Sequence, residues 1–367
     1  MSPSNSTGKS SFSNTAPASF QILAGATRDT TVWLTTHRQA DGDGLACEAA
    51  FAAALRSQGI NFKTINFEAP GTKYQFLFDD TSGQPVPVTI FDPDFAPKKP
   101  DLIVVFDTND MRLLEPLSSW ANEHGVPRLI IDHHEELPAS IASSLTETWV
   151  DKKAASSGEV LLSLLDQLGW TIDSSIATRL YASLVFDTQN FRFIRASANS
   201  HTIAARLLPL VKDPERIHEY LLANLTPSKL GFMAQGLSRM RIEAEGRLAV
   251  VVLERDIFHR YGADPSDSGD VVDMALNVHS VKIAMLLREE APGRWKVSLR
   301  SKKGFSVLEA AENVFGGGHR NAAGATVTWE SLATKTNAAP DPSASNLPVA
   351  IEARLKPLLL EEIRRNM

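Results

Sequence analysis

The chain has 367 residues, 43% of them hydrophobic, a formal net charge of −6 and a single cysteine. That length and apolar content suffice for two packed domains, and the excess of acid argues against a surface that tracks long duplex nucleic acid. Cys47 alone excludes intrachain disulfides and a thiolate zinc centre, so any metal must use imidazole and carboxylate, and no run of about 18 apolar residues exists to cross a membrane.

Residues 1–18 are rich in Ser, Asn and Thr and lack an apolar segment, which predicts a loose tail, no signal peptide and a cytoplasmic location. Phe20–Ala26 predicts one or two helical turns and Thr31–Thr36 a short strand. His37, Asp41 and Asp43 follow at once, and Gly42 and Gly44 suggest a tight turn on which the three side chains converge. Asp41-Gly-Asp-Gly also reads as an acidic turn or as a helix N-cap, and alone it does not decide between these. The alanine-rich stretch Leu45–Ser57 predicts a helix stopped by Gly59.

Asn61–Phe67 predicts a second strand, and Pro70–Pro100 a long irregular connection. Asp101–Asp107 reads as a buried strand ending in a carboxylate, with helix capping as the alternative role for Asp107. A helix over Leu113–His124 leads into Arg128–Ile131, and three ligand-type residues, Asp132, His133 and His134, close that strand. Parallel strands are covered on both faces, so their functional groups reach solvent only at the carboxyl edge. Glu159–Leu168 and Ile172–Val185 predict two helices, the second running into Phe186-Asp187.

Alternating strands and helices predict an α/β domain over 19–195, a mainly parallel open sheet with flanking helices. Residues 196–240 read as a helical connector. Strands near 248–253, 281–287, 295–301 and 325–329, with helices near 271–278 and 307–314, predict a second, smaller α+β domain over 241–330. Residues 331–367 read as a Pro/Ala/Ser-rich tether and an amphipathic terminal helix.

The strand-edge candidates are His37, Asp41, Asp43, Asp107, Asp132, His133, His134 and Asp187. Five acids crowded together would repel one another unless cations lay among them. Oxygen-rich shells with an imidazole each suit a pair of divalent ions, Mn²⁺ foremost and Mg²⁺ as the alternative. Two such ions about 3.5–4 Å apart clamp a phosphoryl oxygen and acidify a bridging water for in-line attack, with no side-chain nucleophile needed. In the second domain, Gly316, Gly317, Gly318 and His319 present backbone N–H groups for a phosphate, near Arg300; a flexible turn is the plainer alternative.

In this order the motifs resemble the DHH phosphoesterases that carry a DHH-associated C-terminal domain, and most of all their NrnA-like branch of oligoribonucleases, which also dephosphorylate 3′-phosphoadenosine 5′-phosphate. The resemblance covers about residues 20 to 330. It implies one Mn²⁺ on His37, Asp41 and Asp107 and another on Asp43, Asp107, His133 and Asp187. His134 would contact the scissile phosphate, and Asp132 would orient an imidazole from behind. Arg300, Ser301 and the Gly316–His319 segment would hold the rest of the substrate across an interdomain cleft. The implied activity is hydrolysis of short oligoribonucleotides, 3′-phosphoadenosine 5′-phosphate or both, by a homodimer; the alternatives are a cyclic dinucleotide phosphodiesterase and a nucleotide sensor without turnover. The chain departs from the family pattern at Ala40, where proline is frequent, at Ala46-Cys47, where Gly-Ser is common, and at Gln189, where glycine often follows Asp-Thr.

Overall fold

The computed structural model describes residues 18–79, 85–95, 98–134, 145–195, 197–336 and 347–367. The chain forms two compact units, Met1–Asn224 and Leu225–Met367. Among the described residues no helix is long and apolar enough to cross a membrane.

The first unit runs α1 (Ala18–Ala24), β1 (Thr31–Thr36), α2 (Gly42–Ser57), β2 (Asn61–Asn66), α3 (Gln75–Phe78), β3 (Val88–Ile90), β4 (Leu102–Phe106), α4 (Leu117–Glu123), β5 (Arg128–Asp132), β6 (Thr146–Val150), α5 (Ser157–Leu168), α6 (Ser174–Asp187), α7 (Asn199–Leu207) and α8 (Pro214–Leu222). Its strands make one parallel sheet in the order β3-β2-β1-β4-β5-β6. All five residues of β4 are buried, as a central strand covered on both faces requires. Successive side chains alternate between two cores: Leu102, Val104 and Phe106 face the core shared with α2, α5 and α6, while Ile103 and Val105 join Trp33 and Trp120 on the other side. Chain order reverses between β1 and β4, so their carboxyl ends flank a crevice.

The structure differs from the sequence-based expectation in three respects here. The connection over 70–100 contains α3 and the strand β3, and a strand, β6, follows β5; both are edge strands. The helix expected from Leu45 begins at Gly42, with Asp41 as its N-cap accepting a bond from Asp43 N, so Asp43 lies within the helix. Gly42 and Gly44 are therefore helical, and their smallness serves close approach. A Cβ on Gly42 would stand 2.5 Å from the Phe186 ring, and one on Gly44 would overlap Thr36 Oγ1. The glycines let α2 lie against α6 and β1, which brings Asp43 to the crevice.

The second unit comprises α9 (Pro227–Ser238), β7 (Arg241–Glu243), β8 (Leu248–Leu253), α10 (Arg255–Tyr261), α11 (Ser268–Leu276), β9 (Ile283–Ala291), β10 (Arg294–Ser301), α12 (Leu308–Glu312), β11 (Gly317–His319), β12 (Ala322–Thr328), α13 (Trp329–Thr336) and α14 (Leu347–Arg365). Its sheet, β11-β12-β10-β9-β8-β7, is mixed, with β8 and β9 parallel and the other pairs antiparallel. The helices of 196–240 divide between the units. Leu207, Ile217 and Leu221 of α7 and α8 are buried in the first core, and Phe232 and Met233 of α9 in one core of the second unit. Leu347, Ile351, Leu355, Leu359 and Ile363, spaced by four along α14, are buried in the other core of that unit. Apart from Ala18, the expected N-terminal tail lies outside the described residues, as does most of the expected tether.

Candidate metal centre

Each carboxyl edge of the three central strands delivers part of one cluster. His37 follows β1, Asp107 follows β4, and Asp132, His133 and His134 close β5, while Asp41 and Asp43 open α2 and Asp187 ends α6. All eight candidates of the first unit therefore meet in one place. Their ligand atoms fall into three groups within mutual reach of an ion: His37, Asp41 and Asp107; Asp43, His133 and Asp187; and Asp107 with Asp132, His133 and His134. Asp107 is common to two of them. It adopts a left-handed backbone, φ 60°, which an aspartate tolerates better than most residues and which turns its side chain back over the strand end.

His133 shows what the cluster requires. The ring is buried; its Nδ1 lies 3.3 Å from the Ala154 carbonyl and so carries the proton, leaving an acceptor lone pair on Nε2. That Nε2 has no hydrogen-bond partner among the described residues, and it faces Asp187 Oδ2 at 3.2 Å, Asp107 Oδ1 at 3.6 Å and Asp43 Oδ2 at 3.8 Å. A lone pair directed at three carboxylates is repelled by all of them, and a divalent cation between them turns each contact attractive. His37 repeats the pattern: Nδ1 sits 2.8 Å from Arg38 O, and Nε2 is turned to Asp107 Oδ2 at 3.8 Å. The donor set, imidazole nitrogen and carboxylate oxygen without thiolate, fits Mn²⁺ or Mg²⁺.

The protonation behaviour agrees. Burial pushes Asp43 up to about 6 and Asp187 up to about 8, and burial with the neighbouring Asp43 raises Asp107 well above the carboxylate range. Burial also drives His133 down to about 4, keeping it neutral. The outer pair behaves differently. His134 is raised by its 2.8 Å hydrogen bond from Nδ1 to Asp132 Oδ1. Burial alone would raise Asp132, but the hydrogen bond and charge of His134 outweigh it and hold the carboxyl below its ordinary value. Asp132 Oδ1 also accepts from the backbone N–H of His133 and of His134, so it fixes both histidines at once.

Several residues that hold the cluster were not foreseen. Ser157 donates its backbone N–H to Asp43 Oδ2 at 2.7 Å and its hydroxyl to Asp107 Oδ1 at 2.9 Å, and Ser183 donates to Asp43 Oδ1. Arg195 donates to the carbonyls of His133 at 3.0 Å and Lys152 at 2.7 Å. The signal for Ser157 was present in Ser156-Ser157-Gly158-Glu159, a serine N-cap that starts α5, with Ser156 Oγ accepting from Glu159 N. Ser183, within a helix, carried no such mark.

In the second unit two of the three glycines do enter a regular element. Gly317–His319 is strand β11, paired with β12, and a Cβ on Gly316 would overlap Gly324 O while one on Gly318, at φ 138°, would stand 2.6 Å from Ala322 O. Gly317 has open space at that position. The register sets Arg300 and His319 on either side of Ala322. Arg300 Nε lies 3.4 Å from Asp273 Oδ1. Ser301 is buried, donates to Phe305 O and accepts from Asn321, so its hydroxyl holds the loop 302–305.

Residues 31–184 match the family model described as the DHH family N-terminal domain, and residues 245–339 match the DHHA1 domain. The chain belongs to the DHH family. Two curated DHH relatives are named bifunctional oligoribonuclease and PAP phosphatase NrnA. The one from Thermus thermophilus is 27% identical over 81% of this chain and 84% of its own length. The one from Bacillus subtilis is 27% identical over 62% of this chain and 71% of its own length. The DHH fold is also seen in the crystal structure of an exopolyphosphatase-related protein from Bacteroides fragilis, at a TM-score of 0.75 and 22% identity, covering 95% of this chain and 99% of that one.

Proposed function

We propose that this DHH protein is a divalent-metal-dependent phosphoesterase that hydrolyses short oligoribonucleotides and 3′-phosphoadenosine 5′-phosphate, with Mn²⁺ as the preferred ion. The observation that carries the reading is the buried, unpartnered Nε2 of His133 directed at three carboxylates, and the names of the two DHH relatives point to the substrates. His37, Asp41 and Asp107 would hold one ion, and Asp43, Asp107, His133 and Asp187 the other. When bound, such ions withdraw charge from a phosphoryl oxygen and lower the pKa of water.

The remaining work falls to the protein's own groups. His134 is the one imidazole of the cluster that is half-exposed, at 45%, and Asp132 holds its Nδ1, which leaves Nε2 as a charged donor for a phosphate oxygen. Ser157 and Ser183 fix the carboxylates so that they do not swing apart. In the second unit, Arg300 and the Gly316–His319 segment are proposed to bind the substrate, and the homodimer belongs to the same proposal. Light scattering of the purified chain tests the dimer.

Turnover of dinucleotides, longer RNA oligomers and 3′-phosphoadenosine 5′-phosphate with Mn²⁺, with Mg²⁺ and with chelator tests the activity. The expected result is ion-dependent release of mononucleotide and of inorganic phosphate. Preferential processing of long strands would refute the substrate class.

A further inference from the structure

The first unit contains a second concavity, of about 560 Å³, where the last turn of α2, α3, the first turn of α6 and the start of α8 come together. It lies at the wrong end of the helices to belong to the metal cluster. Asp43 is in the first turn of α2 and Arg56 in the last, which at 1.5 Å per residue separates them by roughly 20 Å. In the same way Ser174 opens α6 and Asp187 ends it. The two sites share two helices and no residue.

Its lining has two chemistries. Ala53, Leu77 and Ile217 form a buried apolar floor, and Phe76 extends it as a flat wall, stacked on Tyr220 at 4.6 Å and 8°. Around the rim stand Arg56, Lys212 and Arg216, with Ser174 and Ser175 at the α6 N-terminus, where the helix dipole favours an anion. Arg216 is fixed in place, its guanidinium 5.4 Å from the Tyr220 ring centre and donating to Tyr220 Oη at 2.9 Å. Arg179 is buried behind the wall, donating to Leu77 O and Asp79 O. The acids present are Asp79, Asp173 and Asp213; the last two cap α6 and α8 by accepting from Ile176 N and Arg216 N. The four cations outnumber them, and the volume lies within the range of small-molecule sites.

We propose that this cavity is a second, metal-independent ligand site for a nucleotide-sized anion that carries an aromatic ring, its phosphate between Lys212 and Arg216 and its ring against Phe76. The inference does not depend on the phosphoesterase reading.

Calorimetric titration of the full-length protein with adenosine 5′-monophosphate, in Mn²⁺ and again in chelator, is the test, with inorganic phosphate as the second probe. Binding should persist in chelator, at least tenfold tighter than for phosphate. Replacing both exposed cations (Lys212→Ala with Arg216→Ala) should weaken it at least tenfold, and Phe76→Ala should remove the advantage over phosphate. Asp107→Asn should leave it unchanged. No binding in chelator, binding indifferent to the double substitution, or phosphate binding as tightly as the nucleotide would each overturn the proposal. Loss of binding in Asp107→Asn would do the same, by placing the nucleotide at the metal cluster.

Discussion

Replacing Glu48 with Gln should make the protein more stable at alkaline pH and nearly unchanged in acid. Glu48 lies in the middle of α2, fully buried, and its one described partner is the Asn66 amide, which donates to Oε2 at 2.8 Å. Glu48 Oε1 and Asn66 Oδ1 both lack partners among the described residues, two acceptors in a pocket that needs a donor. A proton on the carboxyl supplies one. Burial accordingly lifts Glu48 from 4.5 to about 8, against a lowering by the Asn66 hydrogen bond. The folded state thus holds a proton that the unfolded chain releases. The contribution is complete below about pH 4.5, declines by about 1.4 kcal/mol per pH unit above it, and is gone once pH passes about 8, a total on the order of 5 kcal/mol. A neutral amide at this position has no proton to lose. Denaturation midpoints of both proteins at pH 5 to 9, in chelator, should diverge steadily with the substituted protein ahead at pH 9. Asp43 and Asp187 titrate in both proteins and cancel in the difference. A difference that stays flat, or a parent protein that remains ahead at pH 9, would refute the assignment of a neutral carboxyl.

Asp107→Asn should abolish ion-dependent hydrolysis, by three orders of magnitude or more, yet raise stability in chelator by about 1–3 kcal/mol, because it removes a buried acid from a like-charged cluster and asparagine accepts φ 60°; activity assays and melts in chelator check the two halves. Gly44→Ala should cost about 2 kcal/mol or more, since the added methyl overlaps Thr36 Oγ1, and the loss should appear in thermal melts as well as in turnover. Asp132→Asn should lower the midpoint of the His134 imidazole in an NMR titration, because the hydrogen bond that raises it weakens. Ending the chain before Leu347 removes five buried apolar side chains from the second unit, about 10 kcal/mol of burial at about 2 kcal/mol each, and proteolysis should then cut that unit first.

The parallel sheet was legible because β1, β4 and β5 are apolar runs that end in titratable residues. Their neighbours at the sheet margins were not. Thr146-Glu-Thr-Trp-Val150 and Val88–Ile90 pair because β5 and β2 offer open edges, a property of the partner and not of their own composition. Gly-Gly-His over 317–319 forms a strand against its propensity for the same reason, with β12 as the template. The acids and imidazoles of the centre could be enumerated from strand ends, whereas the Ser183 hydroxyl that steadies Asp43 could not, since a serine within a helix looks in sequence like any other. Glycine posed a further ambiguity: nothing in Asp-Gly-Asp-Gly distinguishes a turn from two helical residues pressed against Phe186 and Thr36. At Gln189 the departure from glycine acquires a meaning, because Gln189, Asn190 and Phe191 all take positive φ, of 47°, 59° and 65°, one residue beyond Asp187. Such backbone costs about 1 kcal/mol or more per residue and recurs at functional loops.

The proposed ligand residues are drawn from separated segments between His37 and Asp187, all in the first unit. An unfolded chain presents them far apart, so ions held by these residues would recognise only the folded form and would stabilise it by mass action. Raising the ion concentration should therefore raise the melting temperature of the protein, and Asp107→Asn should remove that dependence.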